Sequence, residues 1–412
     1  MSTDTDRPRV LLTFLWAIAA PPDELAALVA DGVAAGALDP LGAAADSDWA
    51  VVDGFLRFVA EPPQRYRLRD TLTIAVGGRR HECAFLLTSF AAHGVITLLA
   101  SVPDVGDPDR AWPDLVDPAI AVLQSFQGRA ARAGGGAVTA RYRGAEHACV
   151  HLAVTRLVAD LAGDRFPDGL PLNRRAWCAE LRDHRGRRAV GVAAQDPRPL
   201  YGLGYADEGW RFVAPDAARQ ALDSGWGSRD FFHIYALPSS IVCLNGKHPD
   251  YAAGQDRFTT RYFGAVEPYF SLDTPVAGLD HGGLLALERV MVRVALTYQW
   301  LERAQAAIGR GRSRRRDLRD RRLLRSSLDE ALQLISTALM PEIDNLERLL
   351  AHRSGADRLV ARLDRLAEAM DQETQYLYSK DMSGYVTRLT WLTIALTVAT
   401  VILGVVQVLV TV

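Results

Sequence analysis

Apolar and polar positions change rhythm twice along this 412-residue chain. Up to about residue 275, short apolar runs alternate with turn-formers, the mark of strands mixed with short helices. From Asp280 the apolar residues recur every three or four positions, the period of long helices. From Leu389 to Val412 no charge interrupts the apolar residues at all.

The first stretch predicts an α+β or α/β fold without choosing between them. Val10–Trp16 reads as a strand, and Pro21-Pro22-Asp23-Glu24 starts a helix that runs to about Ala35. Trp49–Val59, Tyr66–Val76, His81–Phe90 and Gly94–Ser101 read as strands, with Gly77-Gly78 closing a hairpin. A helix over Pro113–Phe126 leads to Ala133-Gly134-Gly135-Gly136, a candidate joint between subdomains 1–133 and 137–275. Beyond it the pattern gives a helix over Glu146–Leu161, strands at Ala176–Arg182 and Ala189–Ala194, and a helix over Pro215–Asp223.

Residues 280–388 read as an all-α stalk of long helices. Asp280 suits the N-cap of a helix over Leu284–Ile308. A second, over Arg314–Arg353, carries Leu328, Leu332, Ile335, Leu339, Ile343, Leu346 and Leu350 on one face, with a kink expected at Pro341. After Ser354-Gly355, a third carries Leu359, Leu363, Leu366, Met370 and Leu377 and continues into the apolar terminus. The stripes fit an antiparallel hairpin or an intermolecular coiled coil.

The terminal LTWLTIALTVATVILGVVQVLVTV is long enough for one transmembrane helix: at about 1.5 Å per residue its 24 residues reach roughly 36 Å. Trp391 suits the interface, and Lys380 and Arg388 flank the span on its N-terminal side. The positive-inside bias therefore predicts a single-pass protein of the plasma membrane with a cytoplasmic N-terminal body. Val10–Ala20 resembles a signal-peptide core with Ala17-x-Ala19 as cleavage site, but Asp4 and Asp6 offset Arg7 and Arg9. A buried first strand agrees better with that orientation.

Charge and cysteine usage narrow the function classes. The 47 basic and 49 acidic residues nearly cancel, so no overall field favours nucleic acid. Cys83, Cys149, Cys178 and Cys243 are widely spaced and form no CxxC, which fits free thiols in a reducing compartment. Charge is concentrated locally: residues 310–325 hold nine arginines, among them Arg316, Arg319, Arg321, Arg322 and Arg325, and two aspartates, 9 − 2 = +7. An antiparallel turn at Ser354-Gly355 would return Arg322 to the level of Arg388, beside anionic lipid. A solvated linker is the plainer reading of the same run.

Leu389-Thr390, with Gly404 fifteen residues after Leu389, resembles the first membrane helix of the CorA-like magnesium-transporter superfamily. The resemblance covers about Leu284–Val412 and implies a cytosolic α/β domain on stalk helices that enter the membrane. Where that family has Gly-Met-Asn this chain has Val406-Gln407-Val408, and a second membrane helix is missing, so no ion-selecting residue carries over.

Chemistry-bearing patterns are sparse. Glu146, His147 and His151 would place two imidazoles one turn apart on a helix, but no further metal ligand accompanies them. Tyr201-Gly202-Leu203-Gly204-Tyr205 reads as a plain turn rather than a phosphate loop. Asn245, Lys247, His248, Asp250 and Gln255 suit a polar ligand, or a loop packed on the stalk. His281 reads as part of a helix cap. No nucleophile elbow, Walker loop or kinase signature is present, and no catalytic residue, metal or cofactor is assigned.

Three classes follow. The favoured one is a non-enzymatic, membrane-anchored sensor or scaffold, homo-oligomeric or bound to a partner protein. Its layout resembles the membrane companions of actinobacterial stress or conflict systems that involve caspase-like and TPR proteins. The others are a CorA-like pore lined by Thr390, Thr393, Thr397, Thr400 and Gln407, and a membrane-tethered enzyme.

Overall fold

The computed structural model describes residues 9–40, 64–90, 94–102, 105, 112–130, 132–133, 136–166, 169–182, 195–223, 225–229, 232–245, 281–308 and 341–411. They fall into two compact units, residues 1–299 with 334–359, and residues 300–333 with 360–412.

The first unit is built on one mixed, twelve-stranded sheet. Its central strand is β1 (Arg9–Ala19), flanked by β6 (Val95–Val102) and β11 (Arg175–Arg182), both antiparallel to it. On the β6 side follow β5 (Arg79–Phe90), β4 (Leu72–Val76), β9 (Thr139–Tyr142) and β10 (Ala145–His147). There β3 (Gln64–Leu68) also pairs with β5, and β2 (Leu38–Pro40) with β3. On the other side β11 lies parallel to β14 (Ser240–Asn245), which continues antiparallel to β13 (Phe232–Ala236) and β12 (Gly225–Arg229). A separate hairpin joins β7 (Arg132–Ala133) to β8 (Gly136–Ala137).

Both faces of β1 are buried, which explains its almost unbroken apolar run. Val10, Leu12, Phe14, Trp16 and Ile18 face one side, where they meet α1 (Pro22–Ala34), α2 (Trp112–Phe126), α3 (Val150–Ala162) and α4 (Arg198–Tyr205). Phe126 of α2 stacks on Phe14 with ring centroids 4.5 Å apart and meets Trp16 edge-on at 4.9 Å. Trp177 joins the cluster and donates its indole N–H to the Leu203 carbonyl at 3.0 Å. Leu15 and Ala17 face the opposite side, under α6 (His281–Ile308) and α7 (Pro341–Ser354), with Leu99, Ile241, Leu287, Leu346 and Leu350. The remaining helices are α5 (Pro215–Ala221) and α8 (Ala356–Thr411).

Strand β1, α1, α2, the Gly77-Gly78 hairpin, β6, β11 and α5 follow the sequence pattern. Both hairpin glycines have positive φ, +57° and +80°, as a tight two-residue turn requires. Other expectations change. Tyr66–Val76 is two strands, interrupted before Leu72, because β3 and β4 pair with different stretches of β5. The helix expected from Glu146 begins at Val150, since residues 145–147 pair with β9 instead. Tyr201–Tyr205 is the end of helix α4, not a turn. The sheet crosses the expected joint at 133–137, so strands β1–β6 before it and β9–β14 after it belong to one sheet, and both sides contribute to one core. The first stalk helix, α6, packs on that sheet through Leu284–Leu296. Trp49–Val59, Ala189–Ala194, Asp280 and residues 314–340 of the second stalk helix lie outside the described residues.

Helix α7 ends at Ser354, and Gly355, with φ +76°, separates it from α8. The backbone is carried across by Gly355 N–H to His352 O at 3.2 Å and Arg358 N–H to Gly355 O at 3.1 Å. Helix α8 is 56 residues long, about 84 Å at 1.5 Å per residue.

Candidate functional site

The C-terminal part of α8 is the most distinctive chemical feature of the second unit. After Arg388 no ionisable residue occurs up to Thr411, and those 23 residues span about 34 Å. Their large side chains face outward: Trp391 is 68 % exposed and Leu403 67 %. With about 1.5–3 kcal/mol for each large aliphatic side chain moved from water to an apolar medium, the segment favours hydrocarbon by tens of kcal/mol. It is long and apolar enough to cross a membrane.

Four of the segment's hydroxyls are accommodated by its own backbone. Thr390 Oγ1 donates to Val386 O at 2.8 Å, Thr393 to Leu389 O at 2.9 Å, and Thr397 and Thr400 to Thr393 O and Leu396 O at 2.8 Å each. These bonds remove the penalty an unsatisfied hydroxyl meets in lipid. Lys380 and Arg388 are exposed on the N-terminal approach, and Trp391 lies just inside the uncharged stretch. Among the expected interface residues, Arg316, Arg319, Arg321, Arg322 and Arg325 lie outside the described residues.

In the first unit the most unusual chemistry lies between the sheet and its α6/α7 layer. Arg65 on β3, Thr88 on β5 and Thr97 on β6 are direct cross-strand neighbours, forming one polar row across three strands. Glu288 of α6 lies on this row, fully buried. Thr97 Oγ1 donates to its Oε1. Burial pushes the pKa of Glu288 upward, against the opposing pull of Arg65 and of the Thr97 and Thr88 hydroxyls. One residue on, Arg289 is 1 % exposed, with Nε 3.4 Å from Glu347 Oε2, and Arg293 Nη2 approaches Glu347 Oε1 at 2.7 Å. Glu347 belongs to α7, so this carboxylate ties the two covering helices together. Near the end of the α6 stretch within this unit, Gln299 Nε2 donates to Ala20 O at 3.1 Å. The sequence reading did not single out Glu288, Arg289, Arg65 or Glu347. A Glu-Arg pair inside the apolar run Leu284–Ala295 is the signal that marks them.

The remaining candidates that fall on described residues are parts of ordinary structure. His147 sits on β10 and His151 on α3, so they do not share a helix face, and Glu146 pairs with Arg141 at 3.4 Å. Among the described residues no group of three or more His, Cys, Asp or Glu is placed to hold a metal. Gly202 and Gly204 of α4 serve close packing: a Cβ on Gly202 would lie 2.8 Å from Trp210, and one on Gly204 2.1 Å from Leu237. Asn245 ends β14 opposite Arg182 and Phe232, and Lys247, His248, Asp250 and Gln255 lie outside the described residues. The four cysteines are free and buried. A cleft of about 520 Å3 opens between the ends of α1 and α3, but its Asp31 is engaged by Arg165 and its Asp160 by Arg143 and Arg156.

No family model, no curated protein and no solved structure matches this chain.

Proposed function

We propose that the chain is a single-pass membrane protein whose α+β body acts at the membrane surface as a scaffold or sensor rather than as an enzyme. The observation that carries this reading is the uncharged stretch of α8 from Leu389 to Thr411, whose described side chains face outward, with Lys380 and Arg388 on its N-terminal approach. Those two cations favour a cytoplasmic body at the plasma membrane. The Arg-rich run at 310–325 adds attraction to anionic lipid, about 1 kcal/mol for each arginine near the surface. In the described part of the body, buried Glu288, Arg289 and Glu347 join layers of the fold, and Asp31 and Asp160 of the cleft are engaged by arginines, which suits binding better than catalysis. A role beside other proteins of a bacterial stress or conflict system is the physiological form of this proposal.

The test is extraction and topology together. The full chain should stay with membranes in alkaline carbonate, and a chain ending at Arg388 should be released. In inverted vesicles the body should be digested by added protease. Release of the full chain would overturn the anchor, and a protected body would overturn the orientation.

A further inference from the structure

Between Leu389 and Thr411 every hydroxyl and the one amide fall on two positions of a seven-residue repeat: Thr390, Thr393, Thr397, Thr400, Gln407 and Thr411, with Gly404 completing the series. The five other positions hold only Leu, Val, Ile, Ala and Trp391. Spacings of three and four put the series along one seam of α8, and a seven-residue period keeps such a seam facing a partner in a left-handed crossing. We propose that this seam is a self-association surface, on which the membrane segment of a second copy of this chain packs in parallel. The inference rests on the reading of α8 as a spanning helix and names the partner of that helix.

One feature chooses a second copy, and others let it approach. Any copy enters the bilayer from the same side, so Gln407 meets Gln407 at equal depth, and the amide is self-complementary, with two N–H donors and an acceptor oxygen. In hydrocarbon only another protein group can pair with a side-chain amide. Thr390, Thr393, Thr397 and Thr400 spend their hydroxyl protons on their own helix, at 2.8 to 2.9 Å, which leaves the seam compact there. With no side chain at Gly404, two backbones can approach closely there. Lipid tails pack equally well against the aliphatic positions, so those give no comparable preference for a helix partner.

Single cysteines introduced into the full chain in native membranes test the seam. The four natural cysteines are buried and remain silent, as the unsubstituted chain verifies. On oxidation Thr393→Cys, Thr400→Cys and Gly404→Cys should give a disulfide-linked species of twice the chain mass. Leu392→Cys, Val398→Cys and Ile402→Cys, off the seam, should not. Adding Gln407→Leu should lower the Thr400→Cys yield about fivefold to tenfold, the range of one interhelical amide hydrogen bond, and Gln407→Asn should retain it. Equal yields at all six positions, or none while the chain resists carbonate, would overturn the seam and leave the anchor standing. Carbonate release would overturn the anchor and the seam with it.

Discussion

Thr97 on β6 and Glu288 on α6 are hydrogen-bonded across 191 residues of chain. The bond joins the sheet to its covering helix, beside the buried apolar side chains of Leu99 and Leu287. Glu288→Ala should therefore lower the unfolding free energy of the full chain by about 2–3 kcal/mol, the range for a buried hydrogen bond to an ionisable group. Denaturant titration in detergent reads it, with Thr97→Val as the partner variant.

The same carboxyl makes stability depend on pH. Its folded pKa is raised by burial, so its contribution is fully present below the ordinary glutamate pKa, about 4.3, and is lost as pH rises through the folded pKa. Glu288→Gln should flatten that part of the stability profile. An unchanged slope in the glutamine variant would show that another group is responsible.

Glu347 sets the spacing of α6 and α7 through Arg289 and Arg293. Glu347→Ala removes the carboxylate both guanidiniums approach, and should destabilise by about 3–5 kcal/mol. Replacing all three residues together by Met and Leu should recover most of that loss, because apolar groups of similar volume often substitute for a buried ion cluster. Thermal melts of the single and triple variants compare the two.

Gly202→Ala should cost about 1–3 kcal/mol through overpacking. The new Cβ would meet Trp210 at 2.8 Å and Ile120 at 2.9 Å, and Trp210 is held by its indole hydrogen bond to Asp117 at 2.9 Å. A melting temperature lowered by several degrees is the expected outcome.

The cysteines should be chemically silent until the body unfolds. Burial pushes the Cys83 thiol up to about 12, and Cys178 rises through burial and the neighbouring Glu180. A thiol reagent at neutral pH should react with neither in the native chain and with all four cysteines in denaturant.

Elements with a strong local code were readable from residues alone. The Gly77-Gly78 hairpin and the Gly355 break follow from positive-φ backbone that few residues other than glycine adopt, and the start of α1 from proline at the first turn with acidic residues after it. The errors arose where long-range pairing outweighed local pattern. Residues 145–147 carry a helical pattern yet pair with β9, and the glycines of 201–205 look like a turn until Trp210 and Leu237 are packed against them.

The amino-acid sequence by itself determined the apolar terminal helix, the side on which its cations lie and the heptad placement of its polar residues, because a bilayer acts on each residue through length, charge and period alone. Only the tertiary structure decided that residues on both sides of the 133–137 glycines share one sheet. It alone placed Glu288 on Arg65, Thr88 and Thr97, and turned the first stalk helix into the sheet's cover. Those relationships join residues far apart in the chain, and strand register and helix docking, which no local periodicity encodes, bring them together.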